Sequence, residues 1–301
     1  MTVRDQDVRL PLLESHGIFL TIKREDEIHP LISGNKFRKL KYNLKEAKAL
    51  GQNTLLTFGG AFSNHIAATA CVGREKGFRT IGVIRGEELA TTWKQNPTLR
   101  LAESNGMLLH FVDRESYRKK SEVHFQDGLR MRYDDFYLLP EGGTNTLAVK
   151  GCEAILTESD ARFDIIATAV GTGGTIAGLI NSAMPHQKVL GFSSLRGDFL
   201  KKDIRKFATN SNWELIKDYN FGGYAKVNKE LIDFINAFKA KMDIPLDAIY
   251  TGKMVYGILD MVKKGEWKPG IRILAIHTGG LQGNIGMNTV LKKKNLPLID
   301  L

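Results

Sequence analysis

Short apolar runs alternate along this chain with polar joints that contain glycine, and most joints lead into stretches with helical apolar spacing. Runs at 18–23, 54–58, 80–84, 107–112, 137–139, 164–170, 188–193 and 271–276 predict strands, because each is short, apolar and bounded by turn residues. Between them, Phe37, Leu40, Leu44 and Ala47 fall on one helical face that Gly51 terminates. An alanine-rich helix runs from the joint at 59–65 to Gly77, and further helices are expected at 96–105, from 147, at 227–242 and at 254–264. Strands alternating with helices imply an α/β fold with open, mostly parallel sheets flanked by helices. Ligands in such folds collect at the carboxyl ends of strands, so the joints are expected to converge. Residues 201–220 read as polar and irregular, a mobile surface segment.

The most informative joint lies within 164–184, DIIATAVGTGGTIAGLINSAM. A buried strand stops at Gly171-Thr172-Gly173-Gly174-Thr175, and Ile176, Leu179, Ile180 and Ala183 then recur at helical spacing. Strand, glycine turn and helix together bring bare backbone and the positive end of a helix to a ligand, which makes a phosphate cup. A Walker loop is excluded because no Lys-Ser or Lys-Thr follows the glycines. A dinucleotide fingerprint fails at Ile176, where a third glycine belongs, and at Phe192-Ser193-Ser194-Leu195, where an acid belongs. What remains is a lone phosphate, or a plain tight connection.

Four other joints carry candidate chemistry. Ser33 or Asn35 can cap the first long helix. Lys36 and Lys39 share a face at that helix's start, where they oppose its dipole. Ser63-Asn64-His65 opens the second helix; its free amides suit a carboxylate, and Ser63 or Asn64 acting only as a cap fits equally well. His277-Thr278-Gly279-Gly280 ends the last strand, and Pro140 to Asn145 opens the helix from Leu147.

Composition narrows the class. The chain has 301 residues with 43% hydrophobic and 25% charged content, an ordinary globular balance with no run long enough to span a bilayer. The start MTVRDQDVRLPLL lacks an apolar signal core, and Cys71 and Cys152 are too few for a disulfide framework, so a cytoplasmic location is expected. The net charge of +10 comes from scattered clusters such as Arg38-Lys39-Lys41, Arg118-Lys119-Lys120, Lys201-Lys202 and Lys292-Lys293-Lys294, read mostly as solvated faces. They lack interleaved aromatics, so neither nucleic acid nor membrane is an expected partner. None of the seven histidines has a second ligand at metal spacing, G-x-S-x-G is absent, and Asp134-Asp135 reads as surface.

With Ser33-Gly34-Asn35-Lys36-x-Arg38-Lys39, Ser63-Asn64-His65, Thr172 to Thr175, Tyr250-Thr251-Gly252-Lys253 and His277 to Gly280 in this order, the chain resembles a known family. It is similar to the pyridoxal-phosphate-dependent 1-aminocyclopropane-1-carboxylate deaminases and D-cysteine desulfhydrases, of the tryptophan synthase β-like fold (fold type II). The resemblance implies a large cofactor-binding domain at 1–50 and 141–301, a small inserted domain at 51–140, and a homodimer. It implies that Lys36 holds pyridoxal 5'-phosphate as a Schiff base, that Lys39 and Thr172, Gly173, Gly174 and Thr175 hold its phosphate, that Asn64 meets the ring hydroxyl, and that Thr278 meets the pyridine nitrogen. A neutral hydroxyl at that nitrogen suits elimination over transamination.

By the same resemblance Ser63, Asn64 and His65 bind the substrate carboxylate, and Lys36, Ser63 and Tyr250 are the catalytic candidates. The deaminase branch is expected to carry glutamine after Ser-Asn and a tyrosine two places before the final histidine. Here those positions are His65 and Ala275. The expected substrate is therefore a small amino acid, D-cysteine ahead of the cyclopropane acid, with Tyr250 as the remaining phenol and extra room at Ala275. A binding protein that keeps only the phosphate cup is the rival class, and Lys36 argues against it.

Overall fold

The computed structural model describes residues 3–32, 34–197 and 199–301. Ten strands form two sheets: β1 (Asp5–Val8), β2 (Phe19–Lys23), β3 (Thr54–Gly59), β4 (Arg79–Arg85), β5 (Met107–Val112), β6 (Tyr137–Leu139), β7 (Ile165–Val170), β8 (Lys188–Ser193), β9 (Trp213–Ile216) and β10 (Arg272–Ile276). The larger sheet has the order β1-β2-β10-β7-β8-β9 and the smaller the order β5-β4-β3-β6. Every pairing is parallel except β1 with β2. The expected α/β architecture of two mostly parallel sheets flanked by helices is what the chain adopts.

The central strands explain their unbroken apolar sequences. In β7, Ile165, Ala167 and Ala169 enter the core on one face of the larger sheet while Ile166 and Val170 enter the core on the other. Both faces are covered, so the strand is apolar except for Thr168, whose buried hydroxyl donates to the backbone. Helices Lys229–Met242 and Thr251–Lys263 contribute Ile235, Phe238, Ile258 and Val262 to the first core, and helix Gly174–Ser182 contributes Ile176, Leu179 and Ile180 to the second. Helix Asn35–Ala49 buries Leu40 and Ala47 among Leu55, Ala68 and Leu139 of the smaller sheet's layer.

Three expectations change. Residues 201–220 are not irregular: helix Phe199–Arg205 covers Leu200 and Ile204, and β9 adds a parallel edge to β8. Arg38 and Lys39 are not solvated, at 9% and 2% exposed, and Arg38 grips the fully buried Glu25 with two bonds of 2.7 and 2.9 Å. Asn35 does not cap its helix; Gly34 is the N-cap and no side chain closes it. Ser33, the other proposed cap, lies outside the described residues.

Candidate active site

Four joints at strand carboxyl ends meet across the gap between the sheets. Gly34 has φ +45°, and a β-carbon there would stand 2.1 Å from the carbonyl oxygen of Thr278. Only a residue without a side chain fits. That contact seats the start of helix Asn35–Ala49 on the joint after β10, where the N–H of Asn35 donates to the same carbonyl at 3.3 Å. Asn35 then donates from Nδ2 to Thr175 Oγ1 at 2.8 Å, tying the helix to the joint after β7.

This placement aims Lys36 and Lys39 at the joint after β6. Both amines donate to the carbonyl of Gly142, at 3.2 and 3.1 Å, and Lys39 also donates to Thr144 Oγ1 at 3.0 Å. Thr144 and Thr172 hydroxyls lie 2.7 Å apart. A β-carbon on Gly174 would come within 3.1 Å of Lys39 Nζ and 2.8 Å of Thr144 Oγ1, so the cup must be lined with bare backbone. Gly173, at φ +85°, makes the left-handed turn, and no side chain caps helix Gly174–Ser182. Among the described residues neither lysine pairs with a carboxylate. Burial, and for Lys36 the neighbouring Lys39 charge, push both amines below the usual lysine range, Lys36 farthest. An amine kept neutral by burial is a nucleophile toward an aldehyde. Uncapped helix N–H groups, three threonine hydroxyls and a cation suit a phosphate monoester. The donor set thus fits both ends of pyridoxal phosphate.

The joint after β3 supplies the next residues. Ser63 caps helix Asn64–Lys76 by accepting from Ile66 N–H at 3.3 Å, which leaves its own hydroxyl proton to donate. Asn64 accepts from Gln282 Nε2 at 3.1 Å and faces Gly280, so it stands against the joint after β10. His65 is 1% exposed, its ring lies against Gly143, and neither ring nitrogen has a partner among the described residues. Burial, then the charges of Lys36 and Lys39, hold its proton affinity well below the usual histidine value. His277 is structural: Nε2 meets the carbonyl of Pro245 at 2.6 Å, so it carries the proton, and Nδ1 accepts from Gly279 N–H at 3.2 Å.

Tyr250 reaches the site from the start of helix Thr251–Lys263; its hydroxyl is 3.1 Å from where a side chain on Gly171 would begin. Asp247 fixes this turn by accepting from the N–H groups of Ile249, Tyr250 and Thr251 and from the Thr251 hydroxyl. Tyr224 stands edge to face with Tyr250, ring centroids 6.2 Å apart. Burial above all raises both phenols' pKa, Tyr250 most strongly. A second phenol therefore stands beside Tyr250, and it does not come from the Ala275 position. Ala275 is fully buried between Ile22 and Ala167 in the sheet and opens no room at the site. Sequence reasoning missed Tyr224, Gly142, Thr144, Asp247 and Gln282. Only the glycine joint at 140–145 and the acid opening Asp247-Ala248-Ile249-Tyr250 offered a signal.

The geometry agrees with the family comparisons. The family model described as pyridoxal-phosphate dependent enzyme matches residues 3–279. A Thermotoga maritima protein provisionally named a 1-aminocyclopropane-1-carboxylate deaminase is 33% identical, over 90% of this chain and 92% of its own. A mitochondrial protein of Arabidopsis thaliana, named bifunctional D-cysteine desulfhydrase/1-aminocyclopropane-1-carboxylate deaminase, is 30% identical over 89% of this chain and 74% of its own. The crystal structure of an ACC deaminase homologue superposes with a TM-score of 0.84 at 29% identity, covering 97% of this chain and 94% of that one. The chain belongs to the pyridoxal-phosphate dependent enzymes.

Proposed function

We propose that this enzyme is a deaminating lyase of small amino acids, converting D-cysteine and water to pyruvate, hydrogen sulfide and ammonia. The observation that carries this reading is the buried His65, held neutral by burial and the charges of Lys36 and Lys39, in a site that also offers the Asn64 amide, phenols, hydroxyls and backbone amides. Bound pyridoxal phosphate supplies an electron sink for the α-carbon. Lys36 would anchor it covalently and supply the base that moves the α-proton; Lys39, Asn35 through Thr175, and the amides after Gly173 would hold the phosphate end. Ser63 and the first amides of its helix receive the substrate carboxylate, Asn64 meets the ring hydroxyl and Thr278 the ring nitrogen. Tyr250, whose phenol keeps its proton across the neutral range, is the acid for the departing group.

A second substrate is favoured by a specific observation. Opening a cyclopropane needs an acid and a base besides the lysine, and the Tyr224–Tyr250 pair offers two phenols in differing environments. We therefore keep 1-aminocyclopropane-1-carboxylate, giving 2-oxobutanoate and ammonia, as the alternative. We further infer a larger unit of 1–50 and 141–301 and a smaller one of 51–140, with helix Asn35–Ala49 as the seam. A homodimer and a cytoplasmic location complete the proposal; no helix among the described residues is long and apolar enough to cross a membrane. The test offers D-cysteine, L-cysteine and the cyclopropane acid separately to the cofactor-loaded protein and identifies the 2-oxo acid released. Pyruvate with sulfide from D-cysteine supports the main reading, 2-oxobutanoate supports the alternative, and no 2-oxo acid from any of them overturns both.

A further inference from the structure

One face of helix Thr251–Lys263, extended back to its N-cap, grips a single strap of chain. Tyr250, Lys253, Tyr256 and Asp260 recur at spacings of three and four and so lie on one stripe. Asp260 accepts from Tyr219 Oη at 2.8 Å, and Tyr256 meets Phe221 edge to face at 5.0 Å. Lys253 Nζ donates to the carbonyls of Asn220 at 2.9 Å and Gly223 at 2.8 Å, and Tyr250 meets Tyr224. The strap between is bent hard: Phe221 and Ala225 are non-glycine residues at φ +51° and +55°, which unconstrained chain seldom adopts.

Lys253 stands out on this stripe because it is 1% exposed and both its recorded bonds go to carbonyls rather than a carboxylate. An apolar side chain would fill the same helix face without desolvating an amine. We propose that Lys253 is a positioning residue, whose buried amine pins the strap at Asn220 and Gly223 so that Tyr224, the next residue, is held against Tyr250 at the active site. Burial pushes this amine down to about 8, opposed by Asp247. Even neutral it keeps the two N–H donors that the carbonyls require. The inference rests on the lyase reading for its kinetic consequence but not for its geometry.

The experiment substitutes Lys253→Met in the full-length, cofactor-loaded protein. With whichever substrate the unsubstituted enzyme turns over, kcat falls about tenfold to a hundredfold through misplacement of Tyr224, KM moves less, and the cofactor's absorbance is retained because Lys36 and Lys39 are untouched. Tyr224→Phe alone lowers kcat comparably, and the double variant is no worse than Tyr224→Phe, since one residue acts through the other. A readout independent of turnover is alkaline phenol titration by ultraviolet difference: freed from its place against Tyr250, one phenol ionises at lower pH in Lys253→Met, and that change is missing in the Tyr224→Phe background. Losses that add in full, or a phenol titration unchanged by Lys253→Met, overturn the proposal. If the enzyme turns over none of the offered substrates the lyase reading fails, while the phenol titration still decides the role of Lys253. Should Lys253→Met fail to fold, Lys253→Gln, which keeps one donor, is read by the same titration.

Discussion

The amines of Lys36 and Lys39 share one acceptor, the carbonyl oxygen of Gly142, at 3.2 and 3.1 Å. Two lysine amines thus converge where no carboxylate among the described residues answers them, so the cofactor-free fold opposes their protonation. The native state sheds the Lys36 proton well below the ordinary value of 10.5, so the unfolded chain binds more protons in that interval and stability rises with pH through it. Lys36→Met should stabilise the cofactor-free protein by about 1–2 kcal/mol and reduce that rise, Lys39 accounting for the remainder. It should also abolish turnover and the absorbance of covalently held cofactor. Denaturant unfolding at several pH values checks the first part; retained turnover would contradict the second.

Lys39 should behave differently. It anchors the phosphate without forming a bond, so Lys39→Met is expected to weaken cofactor affinity about tenfold to a hundredfold, the worth of one charged hydrogen bond. Equilibrium dialysis of the cofactor measures it, and covalent attachment at Lys36 should survive at saturating cofactor.

Gly34→Ala tests how the site is assembled. The added methyl would meet the Thr278 carbonyl at 2.1 Å, with backbone on both sides of the clash and φ at +45°. Neither residue can yield without moving the start of the helix that carries Lys36. A loss of more than about 3 kcal/mol is expected, with cofactor affinity falling in parallel. An alanine variant with an unchanged midpoint of unfolding would show that the joint after β10 is softer than this contact implies.

How far the site could be read from sequence follows from where its contacts close. The joint at 171–175 was legible as strand, turn and helix because an apolar run ends in glycines and a helical apolar repeat follows, whereas its use as a phosphate cup or a plain connection stayed open. Lys36 and Lys39 were visible as an unfavourable pair at a helix start. β1, Asp5–Val8, was not, since its sequence DQDV has no strand signature and is held by pairing with β2 and by the Thr21–Asp7 bond of 2.7 Å. The bond from Asn35 to Thr175 spans 140 residues and that from Lys39 to Thr144 spans 105. Such partners are chosen by the meeting of two sheets. Tyr224 was hidden for the same reason: its neighbours in sequence say only turn, and its place is set by a helix face that follows it in the chain.

Glu25 and Arg38 form a pair of which the sequence offered only Arg38, as part of a basic cluster. Glu25 is fully buried and Arg38 nearly so, and the guanidinium engages both carboxylate oxygens, at 2.7 and 2.9 Å. Removing one partner strands the other's charge, so Glu25→Ala should destabilise the protein by about 3–5 kcal/mol, whereas replacing both with apolar residues of similar volume should be far milder. Arg38 adjoins Lys39, so cofactor affinity should fall with Glu25→Ala too. Chemical unfolding of the two single variants and the double variant decides it; additive losses would mean that the ion pair is not a unit.

His65 gives the protein an acid limit with a defined sign. Its ring stays neutral in the native state because burial and the charges of Lys36 and Lys39 oppose protonation, while in the unfolded chain it takes up a proton near the ordinary 6.5. As pH falls below that value the unfolded state alone gains a proton, and stability falls by up to about 1.4 kcal/mol per pH unit. The decline continues until the native ring's lower pKa is reached. His65→Gln replaces the titrating imidazole with a neutral amide, so this part of the decline should vanish from unfolding curves measured between pH 4.5 and 6.5 (about two units below the ordinary value). The same substitution tests substrate choice: the ratio of D-cysteine to cyclopropane-acid turnover should drop by about tenfold, one hydrogen-bonding group being exchanged for another. A variant that keeps both the wild-type acid slope and the wild-type ratio would place the discriminating contact elsewhere in the site.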